Sequence, residues 1–199
     1  MAIRIKSRWP ERKAGQETAR RMDEHASALG FITWRVSLET AKTLHGEGFT
    51  YDSDRERVGV ITEFLAFLTH CVDRLTHGRL DDNERDELVN CLGQHLADQI
   101  QGNLTDIAGP GNYRLPFIQL LNDTLEDYAG LSFVNGEPGF DMLRYLGNRV
   151  LGIMGDDQTN RWVLDQSMSI SAPEAFDKVQ KALQDLLHTG SDDAQSNGD

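Results

Sequence analysis

Residues 53–78 read SDRERVGVITEFLAFLTHCVDRLTHG. Val58, Ile61, Leu65, Leu68, Val72 and Leu75 recur every three or four positions, so a helix of 3.6 residues per turn gathers them into one apolar stripe. Ser53 or Asp54 supplies an N-cap, because a short side-chain oxygen accepts from backbone N–H groups that the first turn leaves unpaired. The pattern stops at His77-Gly78. A stripe this regular needs other helices to cover it, which sets the fold class as all-α.

The flanking segments supply those helices. Gln16 to His45 contains no Pro, and its one interior Gly is Gly30. Met22, Ala26, Leu29 and Val36 share one face, and Phe31, Trp34, Leu38 and Ala41 form another. Apolarity on two sides predicts a central, largely buried helix, with a break near Gly30. HGEGFTYDSD (45–54) reads as a loop. A third helix is expected from about Asp82 to Gln101, with Leu88, Cys91, Leu92, His95, Leu96 and Ile100 inward, followed by an irregular link from Asn103 to Leu115. Pro116 suits the first turn of a fourth helix carrying Phe117, Leu120, Leu121, Leu125 and Tyr128.

After a turn at Asn135 to Gly139, a fifth helix is expected to face the core with Phe140, Leu143, Gly147, Leu151 and Met154. A short helix around Gln158–Gln166 follows. Ser171-Ala172-Pro173-Glu174 reads as a capping box opening a final helix with Phe176, Val179, Leu183, Leu186 and Leu187 inward. Residues 2–6 read as the single strand. The expectation is a single-domain bundle of about six helices over 16–188, preceded by a basic arm (1–15) and followed by a disordered acidic tail (189–199) that lacks any large apolar side chain.

Composition narrows the functional classes. The 199 residues are 39% hydrophobic and 26% charged, enough apolar content for a packed core. No apolar run approaches the roughly 20 residues that span a bilayer, so no membrane association is expected. The first residues, MAIRIKSRWPERK, lack an apolar secretory core, and the expected compartment is the cytoplasm. Residues 1–21 carry seven Lys and Arg against Glu11 and Glu17, a net of +5 that leaves −17 on the remainder of a chain whose total is −12. That balance disfavours nucleic acid as partner. Cys71 and Cys91 are too few for a disulfide framework and fit the apolar faces of successive helices as small core residues.

The common catalytic signatures are absent from the sequence: no Gly-x-Gly-x-x-Gly, no phosphate-cradling Gly-Lys-Ser/Thr, no His-Glu-x-x-His and no Gly-x-Ser-x-Gly. Asp81 to Asp86 resembles a calcium loop in charge but lacks its turn glycine. The best constellation for a metal is Glu63, His70 and His77, seven residues apart on the second helix, with Asp73 beside them. Imidazole and carboxylate ligands suit zinc, iron, manganese or nickel. Residues seven apart stand about 10 Å apart along a helix, so a shared ion needs ligands from another helix. The alternative is a polar helix face.

His25, at the margin of the first apolar face, is a candidate axial ligand for haem iron, or else a hydrogen-bonded packing residue. Arg144-Tyr145-Leu146-Gly147 resembles the distal-helix motif of the heme oxygenases, all-helical proteins of similar length. The resemblance implies that His25 is the proximal iron ligand and that Gly147 lets the backbone approach haem. Asn148 stands where the family has Asp; Leu151 and Gly152 stand where it has paired glycines. The alternative role for Gly147 is close helix packing.

The Gly109-Pro110-Gly111-Asn112-Tyr113-Arg114 loop offers backbone N–H groups and Arg114 as an anion site, or serves as a connector. In the basic arm, the interleaved Ile3, Ile5 and Trp9 favour docking on the chain's own acidic body or on a sister subunit. The apolar excess of Trp9, Phe31 and Trp34 points to a homo-oligomer and to a protein partner. The leading expectation is a non-catalytic interaction or regulatory protein that self-associates. The alternative is a haem- or metal-binding helical enzyme or carrier.

Overall fold

The computed structural model describes residues 3–9, 17–157 and 159–196. Among them, six helices are fifteen residues or longer: α1 (Glu17–Gly46), α2 (Asp54–Thr76), α3 (Asp82–Ala108), α4 (Arg114–Ala129), α5 (Phe140–Met154) and α7 (Ala172–Ser196), with a short α6 (Val163–Gln166) before α7. The chain is an all-α domain, as the periodicity predicts. Its only sheet among the described residues is a hairpin of two-residue strands, β1 (Phe133–Val134) and β2 (Glu137–Pro138). Asn135 and Gly136 both have positive φ, +56° and +83°, the geometry an Asn-Gly hairpin turn requires.

The central helix is α2 rather than α1. It packs on α1, α3, α4, α5 and α7, and every residue from Val60 to Asp73 is buried. The stripe read from sequence is therefore only part of its contact surface. Ser53 is the N-cap, its Oγ accepting from the Glu56 N–H at 3.3 Å. Helix α1 runs unbroken through Gly30, where a Cβ would lie 3.1 Å from the Cβ of His95, so the missing side chain permits close approach to α3. The first apolar face of α1 is buried, but on the second Phe31 is 56% exposed.

Other expectations need correcting. Helix α3 continues through Asn103 and Thr105, whose side chains bond back to the Gln99 and Gln101 carbonyls, and it ends at Gly109 (φ +86°). The irregular link is accordingly 109–113. Helix α5 is rotated from the predicted face: Met142, Leu146, Gly147, Val150 and Met154 are buried, while Phe140 is 67% exposed. Ser171 is not an N-cap. Helix α6 passes into α7 through a π-helical turn, Ser167–Ser171, which widens the backbone just ahead of Pro173 and accommodates a ring that lacks an N–H. Helix α7 spans Ala172–Ser196, and residues 197–199 lie outside the described residues.

Asn160, almost fully buried, fixes one loop junction. Its Oδ1 accepts from Thr50 N–H at 3.0 Å, and its Nδ2 donates to Thr50 O at 3.0 Å and Met154 O at 2.7 Å. The 47–53 loop is thereby tied to the end of α5. No helix among the described residues is long and apolar enough to cross a membrane.

Candidate functional site

The densest set of long-range side-chain-to-backbone hydrogen bonds among the described residues lies in the groove between α3 and α4, which residues 3–9 occupy. Residues 3–6 form no regular structure and Ser7 and Arg8 form a bend; the segment joins no sheet, which corrects the expected strand over its described part, 3–6. Side-chain amides take the place of a neighbouring strand. Ile5 N–H donates to Asn122 Oδ1 at 2.7 Å, and Asn122 Nδ2 donates to Ile5 O at 3.0 Å. Lys6 N–H donates to Asn90 Oδ1 at 2.9 Å. Gln94 Nε2 donates to the Lys6 and Arg8 carbonyls. Trp9 Nε1 donates to Asp98 Oδ2 at 3.1 Å, and its ring meets His95 edge-on at 4.8 Å.

Helical spacing places these groups. Asn90, Gln94, Asp98 and Gln101 recur at three or four residues along α3, and Arg114 and Asn122 stand two turns apart on α4. Gly93 forms the floor: a Cβ there would lie 2.8–2.9 Å from three carbons of the Ile5 side chain, which is only 2% exposed. Burying Ile5 requires partners for its peptide groups, and Asn122 supplies both. Sequence periodicity missed this set. The available signal was polar side chains at inward helical positions, Asn90 and Gln94 around Gly93, inside an otherwise apolar stripe.

Arg114, the expected anion ligand, belongs to this groove. Its Nε donates to Asp98 Oδ1 at 2.6 Å, one Nη to Ser7 O at 2.6 Å and the other to Gln94 Oε1. The backbone N–H groups of Tyr113 and Arg114 both donate to Gln101 Oε1, at 2.9 and 3.0 Å. Three guanidinium N–H groups of Arg114 and two backbone N–H groups of the loop are thus already engaged by internal acceptors.

The four metal candidates are not brought together. Glu63 forms a bidentate pair with Arg149 of α5 at 2.7 and 2.9 Å. Asp73 pairs with Arg85 of α3 at 2.6 Å; burial raises its pKa although that guanidinium opposes the shift. His70 is 2% exposed and stacks on Tyr128, ring centroids 5.4 Å apart. Burial, reinforced by Arg74 and Arg85, lowers its pKa to about 3, so the ring is neutral at physiological pH. His77 is exposed at the C-terminus of α2. Among the described residues no group of three or more His, Cys, Asp and Glu side chains is placed to hold a metal ion. The polar face of α2 binds arginines of neighbouring helices instead.

The haem candidates sit on different packing partners. His25 is half-buried on α1, which packs on α2, α3 and α7; burial and then Arg21 lower its pKa. Gly147 is buried on α5 against α6, where a Cβ would lie 3.0 Å from the Leu164 carbonyl oxygen. The close approach at Gly147 is therefore between helices. Beside it, Tyr145 Oη donates to Asp127 at 2.5 Å, and burial, then this bond, raises the Tyr145 pKa to about 12. Asp127 and Arg149 also line a shallow cleft of about 340 Å³ along α4. Cys71 and Cys91 are buried free thiols.

Compared with known proteins, the chain matches no protein-family model, no curated protein and no solved structure.

Proposed function

We propose that this is a non-catalytic interaction protein that self-associates, with the α3/α4 groove as its recognition element. The observation that carries the reading is the way residues 5–8 are held: their backbone groups bond to Asn90, Gln94, Arg114 and Asn122, side chains of the helical body. A segment satisfied in this manner is bound as a peptide ligand is bound, through main-chain hydrogen bonds and pockets for particular side chains. None of these contacts depends on which copy supplies the segment. Reciprocal exchange of arms between two copies would use the same bonds and yield a closed dimer.

Native mass spectrometry of the full chain tests this reading. A dimer that weakens on Ile5→Ala replacement supports it. A monomer over the whole concentration range, from micromolar to roughly 100 times that, would refute self-association.

A further inference from the structure

The geometry points to what the α3/α4 groove selects: we propose that it binds the basic arm of a second copy of this chain through two anchors, the β-branched Ile5 on Gly93 and, four positions later, Trp9 against Asp98 and His95. The proposal rests on the reading of the groove as a docking site and specifies what that site selects.

The occupant already in place shows what is read. Exposure alternates along residues 3–6, and the chain bends at Ser7 and Arg8 before it reaches Trp9. Ile5 is buried on Gly93, and Ile3 packs at the margin of the same core, while Arg4, Lys6 and Arg8 are exposed. Among the described residues, the hydrogen bonds from the body at positions 6, 7 and 8 reach backbone atoms: Lys6 N and O, Ser7 O and Arg8 O. Backbone bonds hold a segment whatever its side chains are. Selectivity therefore concentrates at two points. The first is the Gly93 floor, whose missing Cβ leaves room for a branched side chain. The second is the Asp98 and His95 pair, which takes an indole through its N–H and its ring.

Charge adds a general preference. The chain beyond residue 21 carries the −17 that remains when the +5 of residues 1–21 is set against the total of −12, so outward basic side chains on an incoming segment are favoured at long range. The second copy's arm has to displace the chain's own arm, which lowers its apparent affinity by the fraction of time the groove is free. The resident arm is thus an internal competitor.

The test uses the full chain carrying Trp9→Ala, which loosens one anchor of the arm at a residue 36% exposed. Full chain carrying Ile5→Ala serves as a second receptor, each checked for helical circular dichroism. The probe is a fluorescein-labelled peptide of residues 1–12, MAIRIKSRWPER, followed by anisotropy. It should bind Trp9→Ala at least tenfold more tightly than the unmodified chain. Ile5→Ala or Trp9→Ala in the peptide should weaken binding about tenfold or more, whereas Lys6→Ala or Ser7→Ala should change it less than about threefold. Adding Asn122→Ala to the receptor should lower affinity for every peptide. Equal effects at positions 5, 6, 7 and 9 would overturn the ligand pattern and leave the docking reading standing. Absence of binding to both receptors at roughly 1 mM peptide, the effective concentration of a tethered segment, would overturn both.

Discussion

The side-chain amide of Asn122 pairs with both backbone polar groups of Ile5, accepting from its N–H at 2.7 Å and donating to its carbonyl at 3.0 Å. An amide side chain offers the same donor and acceptor as a peptide unit, so one residue on a helix substitutes for a strand neighbour. Asn160 does the same for Thr50. In each case one asparagine ties down a segment more than a hundred residues away in sequence.

Replacing Asn122 by Ala removes both bonds and leaves the Ile5 peptide groups to find water. The expected loss of stability is about 1–3 kcal/mol by urea unfolding, with faster proteolysis of the arm at its basic residues. Asn122→Asp keeps the acceptor and loses the donor, and should fall between Ala and the parent. A stability unchanged by Asn122→Ala would mean that the arm is held by Ile5 burial alone.

Two glycines of α5 should respond in opposite directions. A methyl at Gly147 would press on the Leu164 carbonyl, 3.0 Å away, which cannot rotate aside as a flexible side chain can. Gly147→Ala should cost about 1–3 kcal/mol in thermal unfolding. Gly152 is exposed with nothing within 4 Å of its would-be Cβ, so Gly152→Ala should stabilise by up to about 1 kcal/mol through helix propensity. Equal effects would sink the argument from packing.

The Glu63–Arg149 pair joins α2 to α5, with the Glu63 side chain 4% exposed and Arg149 36%. Arg149→Met strands a buried carboxylate and should destabilise by about 2–4 kcal/mol, at the lower end because Arg149 is partly screened by solvent. Glu63→Gln combined with Arg149→Met should recover part of that loss. A double variant no better than Arg149→Met would show that the guanidinium acts through packing on Tyr145, whose ring it overlies at 6.0 Å.

His70 should make stability fall in acid. Its folded pKa of about 3 lies below the ordinary value of 6.5, so between those values the unfolded chain binds a proton that the native state excludes. Stability then rises with pH across that window, by at most about 1.4 kcal/mol per pH unit from this group. Asp73, with its raised pKa, works in the opposite sense, because the native state holds the proton more readily. The difference between parent and His70→Phe, measured by urea unfolding at pH 7 and pH 4.5, isolates the histidine. The Phe variant should lose less stability on acidification; an identical loss would exclude His70 as a source of the pH dependence.

Helix existence was legible because periodicity and caps are local. The α2 stripe, the Ser53 cap and the Asn135-Gly136 turn all follow from neighbouring residues. Element faces were less so: Phe140 and Phe31 look like core residues by spacing but are exposed, since burial depends on whether another element arrives to cover them. The partners of the candidate ligand residues were hidden for a related reason. Glu63, Asp73 and Arg114 are charged groups whose partners, Arg149, Arg85 and Asp98, lie on other helices.

By itself, then, the sequence determined the helical class, the approximate number of helices, the turns between most of them and the alternation of apolar and basic residues in the arm. These are set by short-range sterics, hydrogen bonding and side-chain period. The tertiary structure alone decided that α2 is central, that Pro173 is accommodated by a π-turn, and that the arm is held by Asn90, Gln94, Arg114 and Asn122. Each of those depends on which long-range surfaces meet, and a polar residue on a helix carries no local mark of the distant peptide group it will satisfy.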